Sequence, residues 1–273
     1  MTRRRLDAEL VRRGLASSRE HARTLVGDGV VLVGGAPAEK PDRLVAEAEP
    51  VLVRHDPRRF VSRGGDKLDA ALDRFELDVA GAHVLDAGAS TGGFTDCLLQ
   101  RGAAEVLSVD VGYGQLHPTL RADQRVRVLE RTNIRHLTAE AVGGAFAVVV
   151  ADLSFISLAT VAPVLAGDLA AVDAALVVLV KPQFEAGRAA VSRGKGVVRD
   201  PELRRAALER AASALVEAGA SIMGAMASPV LGPAGNVEFF LYGRAHHTSA
   251  GDTGHYQAWL DQAVAESPDA GRH

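Results

Sequence analysis

The stretch Ala82-His83-Val84-Leu85-Asp86-Ala87-Gly88-Ala89-Ser90-Thr91-Gly92-Gly93-Phe94 constrains the fold more than any other part of the chain. An apolar run, a glycine-rich turn and the start of an amphipathic helix predict the first β-α unit of a Rossmann-like sheet. Further apolar runs follow at 105–110, 127–130, 147–152, 175–181 and 237–242. Runs of this kind separated by helical stretches predict an α/β fold with a mostly parallel sheet covered on both faces.

The glycine spacing narrows the ligand. A dinucleotide fingerprint is G-x-G-x-x-G, whereas this turn reads Gly88-x-x-x-Gly92-Gly93. Asp86 precedes the turn, and Asp110 closes the next apolar run, where a carboxylate can accept both hydroxyls of a cofactor ribose. Acid, glycines and then a strand-ending acid is the arrangement of S-adenosylmethionine enzymes, whose cofactor has a ribose diol but no phosphate. A nicotinamide cofactor fits less well. The candidate cofactor-binding residues are Asp86, Gly88, Ala89, Ser90, Thr91, Gly92, Gly93, Phe94, Asp110 and its neighbour Val111.

At 273 residues and 47% apolar, the chain has room for one ordinary domain and a small one. The single cysteine, Cys97, is too isolated for a disulfide or a metal cluster and reads as a core residue; no metal site is expected. No apolar run approaches the ~18 residues that span a bilayer. The basic start continues into Leu6-Asp7-Ala8-Glu9-Leu10, which lacks the apolar core of a signal peptide, so a cytoplasmic protein without membrane contact is expected. The net charge of −3 is uneven: residues 1–60 carry 12 Lys+Arg against 9 Asp+Glu, and residues 1–27 seven arginines against three acids. A basic head on an acidic body suits a polyanionic partner.

The head reads as a helix over 7–13, a Gly14-Leu15 stop, an N-cap at Ser17 or Ser18, a helix to about 26, a strand at 30–33 and a Gly34-Gly35 turn. Pro41, Pro50 and Pro57 then mark a strand-poor connector, with a domain boundary near residue 60. The expected organisation is 1–60 head and connector, 61–245 main domain and 246–273 peripheral tail with a short helix at 256–265. A helix over 67–75 leads into the first strand. The Gly-, Arg- and Lys-rich segment 187–199 is expected to be a mobile loop over the site, ahead of a helix at 201–218.

Four residues carry the chemistry. Ligands of open parallel sheets bind outside the carboxyl ends of the strands. Asp152 and Lys181 each end an apolar run there; Glu238 begins its run, so it reaches the same edge only if that strand is antiparallel; Lys67 arrives from the preceding helix. A lone lysine at a strand end is ordinarily a solvated cap and a lone aspartate a turn residue, so the case rests on the set. A ribose 2′-hydroxyl is a poor acid, and methylating it requires a positioned base. A neutral lysine can serve when a second cation is near and carboxylates orient both side chains. Lys181 is the candidate base and Lys67 its charged neighbour. The marks of other methyl acceptors are missing: Asp152-Leu153-Ser154-Phe155 is not the Pro-Pro-aromatic signature of base-amine methylation, and no cysteine is placed for carbon-five attack.

Leu10-x-x-x-Gly14-Leu15, Ser18-Arg19-x-x-Ala22 and Gly29-x-Val31-x-Val33-x-Gly35 resemble the αL RNA-binding domain named after a small-subunit ribosomal protein. That resemblance implies phosphate contacts by Arg4, Arg12, Arg19 and Arg23. Head, turn and tetrad together resemble the TlyA family over about residues 3–244, most specifically in Ser62-Arg63-Gly64-x-x-Lys67-Leu68, Asp110-Val111-Gly112-Tyr113-Gly114-Gln115-Leu116, Ala151-Asp152-Leu153-Ser154-Phe155, Val180-Lys181-Pro182-Gln183-Phe184-Glu185 and Gly235-Asn236-Val237-Glu238. The resemblance implies an FtsJ-like, S-adenosylmethionine-dependent domain that methylates cytidine 2′-hydroxyls in ribosomal RNA, with Arg3-Arg4-Arg5 favouring members that act on both 16S and 23S RNA. It also implies that Glu130, Thr132 and Asn133 lie near the adenosine. Two other classes compete: a membrane-active haemolysin, for which no spanning run or barrel alternation speaks, and a non-catalytic ribosome-binding module, against which the glycines, Asp110 and the tetrad argue.

Overall fold

The computed structural model describes residues 3–16, 18–54, 59–185, 196–232, 234–246 and 256–267. The first unit opens with strand β1 (Arg3–Arg5), helix α1 (Leu6–Arg12) and helix α2 (Arg19–Gly27). Ser18 caps α2 by accepting from His21 N at 3.0 Å; the alternative cap, Ser17, lies outside the described residues. Strands β2 (Val31–Val33), β3 (Ala36–Pro37) and β5 (Val51–Val53) form one small sheet, while β4 (Leu44–Ala46) pairs antiparallel with β1. The connector expected to be strand-poor therefore holds two strands. Pro41 sits in the turn ahead of β4 and Pro50 directly ahead of β5, rather than in a linker. Leu6, Leu10, Ala22, Val26, Val31, Val33 and Val45 bury into a separate small core.

Helix α3 (Arg63–Arg74) then leads into β6 (His83–Ala87), helix α4 (Gly93–Gln100), β7 (Glu105–Val109), β8 (Val126–Leu129), β9 (Phe146–Ala151), β10 (Ala170–Val180), β11 (Ala220–Ala227) and β12 (Phe239–Ala245). Among the described residues these form a seven-stranded sheet in the order β11-β12-β10-β9-β6-β7-β8. β12 is antiparallel to both neighbours, and β6 to β10 are mutually parallel where they pair.

The continuous apolar runs follow from this layering, because alternate residues feed two cores. Val148, Val150, Val177 and Leu179 pack with Leu68, Leu72, Phe94 and Leu98 of α3 and α4. Val149, Ala151, Leu176 and Val178 pack on the opposite face with Leu208, Leu215 and Leu260. Each fully buried leucine contributes about 1.5–3 kcal/mol. Cys97 lies in the first of these cores, and burial pushes its thiol up to about 12, as suits a packing residue.

Two expectations need correction. The strand at 220–227 was not anticipated, and it extends the sheet beyond β12. The helix Tyr256–Ala265 is not peripheral: Tyr256, Leu260 and Ala263 bury in the main core, and Ser267 beyond it meets the buried Arg204 at 3.4 Å. The segment 187–195 of the expected loop lies outside the described residues. No helix among the described residues is long and apolar enough to cross a membrane.

Candidate active site

Strand register assembles the tetrad. β9 ends at Ala151, one residue before Asp152, and β10 at Val180, one before Lys181. Val180 is the register partner of Phe239, so continuing that antiparallel pairing by one residue sets Glu238 opposite Lys181. The expectation that Glu238 begins the strand is shifted by one residue, since β12 starts at Phe239. Antiparallel β12 thus delivers a residue from its start to the edge where the parallel strands end.

The four side chains form two ion pairs. Lys67 Nζ donates to Glu238 Oε2 at 2.6 Å, with the two side chains 8% and 1% exposed. Lys181 Nζ lies 2.5 Å from Asp152 Oδ1 and donates to Ser154 Oγ at 2.8 Å. Each lysine therefore has its own carboxylate. Lys181 is held from two directions by the loop that follows β9, and Ser154, which was not expected at the site, is one of its two partners. Gly232 receives the Glu238 carboxylate so closely that a Cβ there would collide with Oε1. Asn236 ties this segment to the chain before it, accepting from Val198 N and donating to Gly196 O, both at 2.9 Å.

The glycine turn lies against the same edge. Asp152 N donates to Ala87 O at 2.9 Å, and Gly88, at φ +87°, leaves no room for a Cβ beside the Asp152 carbonyl. Ser90 is also left-handed, at φ +49°. Asp110 accepts from Ser90 N at 2.8 Å and Gly112 N at 2.6 Å, so its carboxylate fixes the shape of the turn and keeps a lone pair on each oxygen. Asp86 is fully buried under the turn, where Thr95 Oγ1 donates to its Oδ2 at 2.6 Å and Oδ1 has no hydrogen-bond partner. Burial pushes its carboxyl up to about 7, the Thr95 bond opposes the shift and the charges of Asp152 and Asp110 add to it. Asp86 therefore faces the interior rather than the open side of the turn. Ala89 and Phe94 are buried, and Thr91 lines a cleft of about 930 Å³ between the two domains with His21, Asp28, Arg59, Gln115 and His117.

The remaining predicted positions are spread around this centre. Val111 is 70% exposed and Tyr113, 64% exposed, stacks under the Arg131 guanidinium at 4.2 Å. Thr132 N donates to Asp110 O at 2.9 Å. Glu130 accepts from Gly114 N at 2.8 Å and pairs with Arg121, while Asn133 Oδ1 accepts from Arg135 N at 3.1 Å. Beside Ser154, Phe155 stands 91% exposed at φ +63°, its ring centroid 5.1 Å from that of Phe184.

The small domain reaches the turn through one side chain of the main domain. Gln115 bridges the two units: Ser90 Oγ donates to its Oε1 at 3.2 Å, and its Nε2 donates to Glu20 of α2 at 3.0 Å. Arg63 at the start of α3 pairs with Asp28 at 2.8 Å. Arg4, Arg12, Arg19 and Arg23 cluster on α1, α2 and β1, each beside Asp7 or Glu9.

Residues 60–245 match the FtsJ-like methyltransferase family, and residues 4–51 match the S4 domain. A protein of Mycobacterium tuberculosis named 16S/23S rRNA (cytidine-2'-O)-methyltransferase TlyA is 52% identical over 97% of this chain and 99% of its own length. The putative rRNA methyltransferase YqxC of Bacillus subtilis is 44% identical over 87% of this chain and 84% of its own. A solved structure titled putative hemolysin from Streptococcus thermophilus superposes with a TM-score of 0.74 at 36% identity, covering 97% of this chain and 95% of that one. The chain belongs to the TlyA family of FtsJ-like methyltransferases, with an S4 domain joined to the catalytic sheet.

Proposed function

We propose that this enzyme transfers a methyl group from S-adenosylmethionine to the ribose 2′-hydroxyl of cytidine in ribosomal RNA of both subunits, working in the cytoplasm. The observation that carries the reading is Lys181, held between Asp152 and Ser154 at the sheet edge, with Glu238 opposite it in register and the glycine turn against Asp152. Bound at the turn, the cofactor supplies a methyl group on a positively charged sulfur.

The residues present fit such a group. In the turn between Gly88 and Phe94, Gly88 and Gly92 hold a conformation that side chains rarely adopt and pack too closely for a Cβ, and the adjacent Asp110 keeps acceptor capacity for a ribose diol. Gly88 to Gly93, Asp110 and Val111 are the residues assigned to hold it, with Asn133 at the adenosine end. Lys181, acting as the neutral amine, takes the 2′-proton on the lone pair of Nζ and becomes the ammonium, and Asp152 and Ser154 fix the direction from which it does so. Lys67, paired with Glu238, supports negative charge building on the 2′-oxygen. That oxygen is then the nucleophile that accepts the methyl. The arginines of the first domain hold the RNA by its phosphates, which gives affinity and orientation.

The test is the atom modified. Alkaline cleavage uses the 2′-oxygen as internal nucleophile, so treated ribosomal RNA gains an alkali-resistant position, and nucleoside mass spectrometry finds the new methyl on the ribose of cytidine. A methyl on the base fragment would remove the roles assigned to Lys67, Asp152, Lys181 and Glu238 together.

A further inference from the structure

The arginines at the start of the chain stand on two buried acids. Asp7 and Glu9, at 0% and 1% exposure, lie beneath them and divide them into two sets. Arg5 grips Asp7 with two nitrogens, Nε at 3.2 Å and Nη2 at 3.1 Å; Arg19 Nη2 reaches both Asp7 oxygens at 3.1 Å; Arg23 Nε stands 3.5 Å away. Glu9 takes Arg12 through Nε at 2.8 Å and Nη2 at 2.7 Å and Arg13 Nε at 2.8 Å, with Arg4 Nη1 at 4.0 Å; the outer nitrogen of Arg12, Nη1, stands 3.5 Å from the exposed Glu47 carboxylate, which a phosphate would displace. The Asp7 set spans β1 and α2, so it also fixes those elements against one another. Arg13 continues to the carbonyls of Glu47 and Glu49, both at 3.0 Å, and acts as a brace. The other five side chains remain between 43% and 56% exposed.

The sign of this arrangement is unusual for a surface meant to bind a polyanion. Each acid cancels one positive charge of the patch, so on charge count alone both weaken RNA binding. Geometry argues the reverse. A guanidinium has five donors in a rigid fork; a carboxylate behind it engages some of them and leaves others outward for a phosphate. A long side chain so held also has less rotamer freedom to lose on binding, out of roughly 2 kcal/mol for a free arginine. Both acids keep their charge at neutral pH. Burial alone would push Asp7 up, but the bonds from Arg5 and Arg19 outweigh it and hold the carboxyl at about 2. The Arg12 fork holds Glu9 at about 2 against its burial.

We propose that Asp7 and Glu9 are positioning residues for RNA, fixing the arginines as two preformed phosphate-gripping edges, one of Arg5, Arg19 and Arg23 and one of Arg4 and Arg12. This rests on the reading above that the first domain binds ribosomal RNA.

The experiment measures affinity of the full chain for ribosomal subunits across a salt series. Asp7→Asn and Glu9→Gln each add a net positive charge, yet binding should weaken, and the slope of log affinity against log salt should fall by about one for each phosphate no longer held. Arg12→Lys, which keeps the charge but loses the fork, should weaken binding roughly tenfold, the worth of one charge-assisted hydrogen bond. The same change made on top of Glu9→Gln should cost little more. Tighter binding or a steeper slope in the acid variants overturns the proposal. If thermal unfolding shows that an acid variant has lost the first domain, Arg12→Lys at its half-exposed side chain decides, and unchanged affinity there is the refuting result. A full chain carrying Arg5→Ala, Arg12→Ala and Arg19→Ala separates the two readings. Wild-type affinity in that triple variant strikes the RNA assignment of this surface, whereas weakening in the triple without weakening in Arg12→Lys strikes only the positioning role.

Discussion

Replacing Glu238 with leucine strands Lys67. Its ammonium is 2.6 Å from the carboxylate that this change removes, and the two side chains are 8% and 1% exposed, so water cannot take the carboxylate's place without opening the core. Removing one member of such a pair costs about 3–5 kcal/mol, because the remaining charge is buried without a partner. In a domain of this size each kcal/mol lowers the melting temperature by roughly 2–4 °C, so a drop of roughly 6–20 °C is expected. Replacing the pair together, Lys67→Met with Glu238→Leu, removes the stranded charge and should recover most of that loss, since apolar groups of similar volume substitute for buried ion pairs at little cost. Methyl transfer should remain abolished in both. The assay pairs thermal unfolding followed by circular dichroism with transfer of labelled methyl to ribosomal subunits. A double variant as unstable as the single would refute the stranded-charge account and point to packing against Gly232. An active double variant would refute the catalytic role of the pair.

Lys181→Ala should reduce methyl transfer on the order of 10²–10⁴-fold, the usual worth of a general base, with subunit affinity unchanged; retention of most activity would overturn the assignment. Asp86 gives a pH test. Its folded carboxyl titrates at about 7 against an ordinary 3.8, so the folded state keeps a proton that the unfolded chain releases, and stability falls as pH rises from about 4 to about 7. The full loss amounts to about 4 kcal/mol. Asp86→Asn should flatten that fall, and wild-type and variant melting curves that shift in parallel between pH 5 and pH 8 would contradict it.

What could be seen in the sequence was what physics forces locally. Gly88 was visible because its backbone angle and its closeness to Asp152 exclude a side chain. Asp152 and Lys181 were visible because a charge that ends a long apolar run must emerge at a sheet edge. β11 was not, since Ala-Ser-Ile-Met-Gly-Ala-Met-Ala has the small residues of a helix, and it becomes a strand through pairing with β12. The three-residue strands β4 and β5 were hidden by the prolines and acids that flank them for the same reason: partners 18 to 43 residues away define them. The helix Tyr256–Ala265 did carry an apolar stripe at 256, 260 and 263, but its glycine- and serine-rich flank read as a tail.

Long-range side-chain contacts divide along a different line. Lys67 and Glu238 are 171 residues apart, and Gln115 and Glu20 are 95 apart, yet only the first pair was anticipated. Distance in the chain was not the obstacle. Deprotonating a ribose hydroxyl demands a base, cations and carboxylates, so the reaction itself selects charged residues at strand ends and requires them to meet. Nothing comparable demands that an amide on the loop after β7 join Ser90 to a carboxylate on α2, because docking two domains can use any complementary pair. Asp7 and Glu9 fall on the same side of that line: their charges were counted, but charge count does not reveal that two acids lie beneath the arginines and pair with them. Chemistry shared by a reaction can be read across any separation, whereas contacts that only position one part against another appear once the chain is folded.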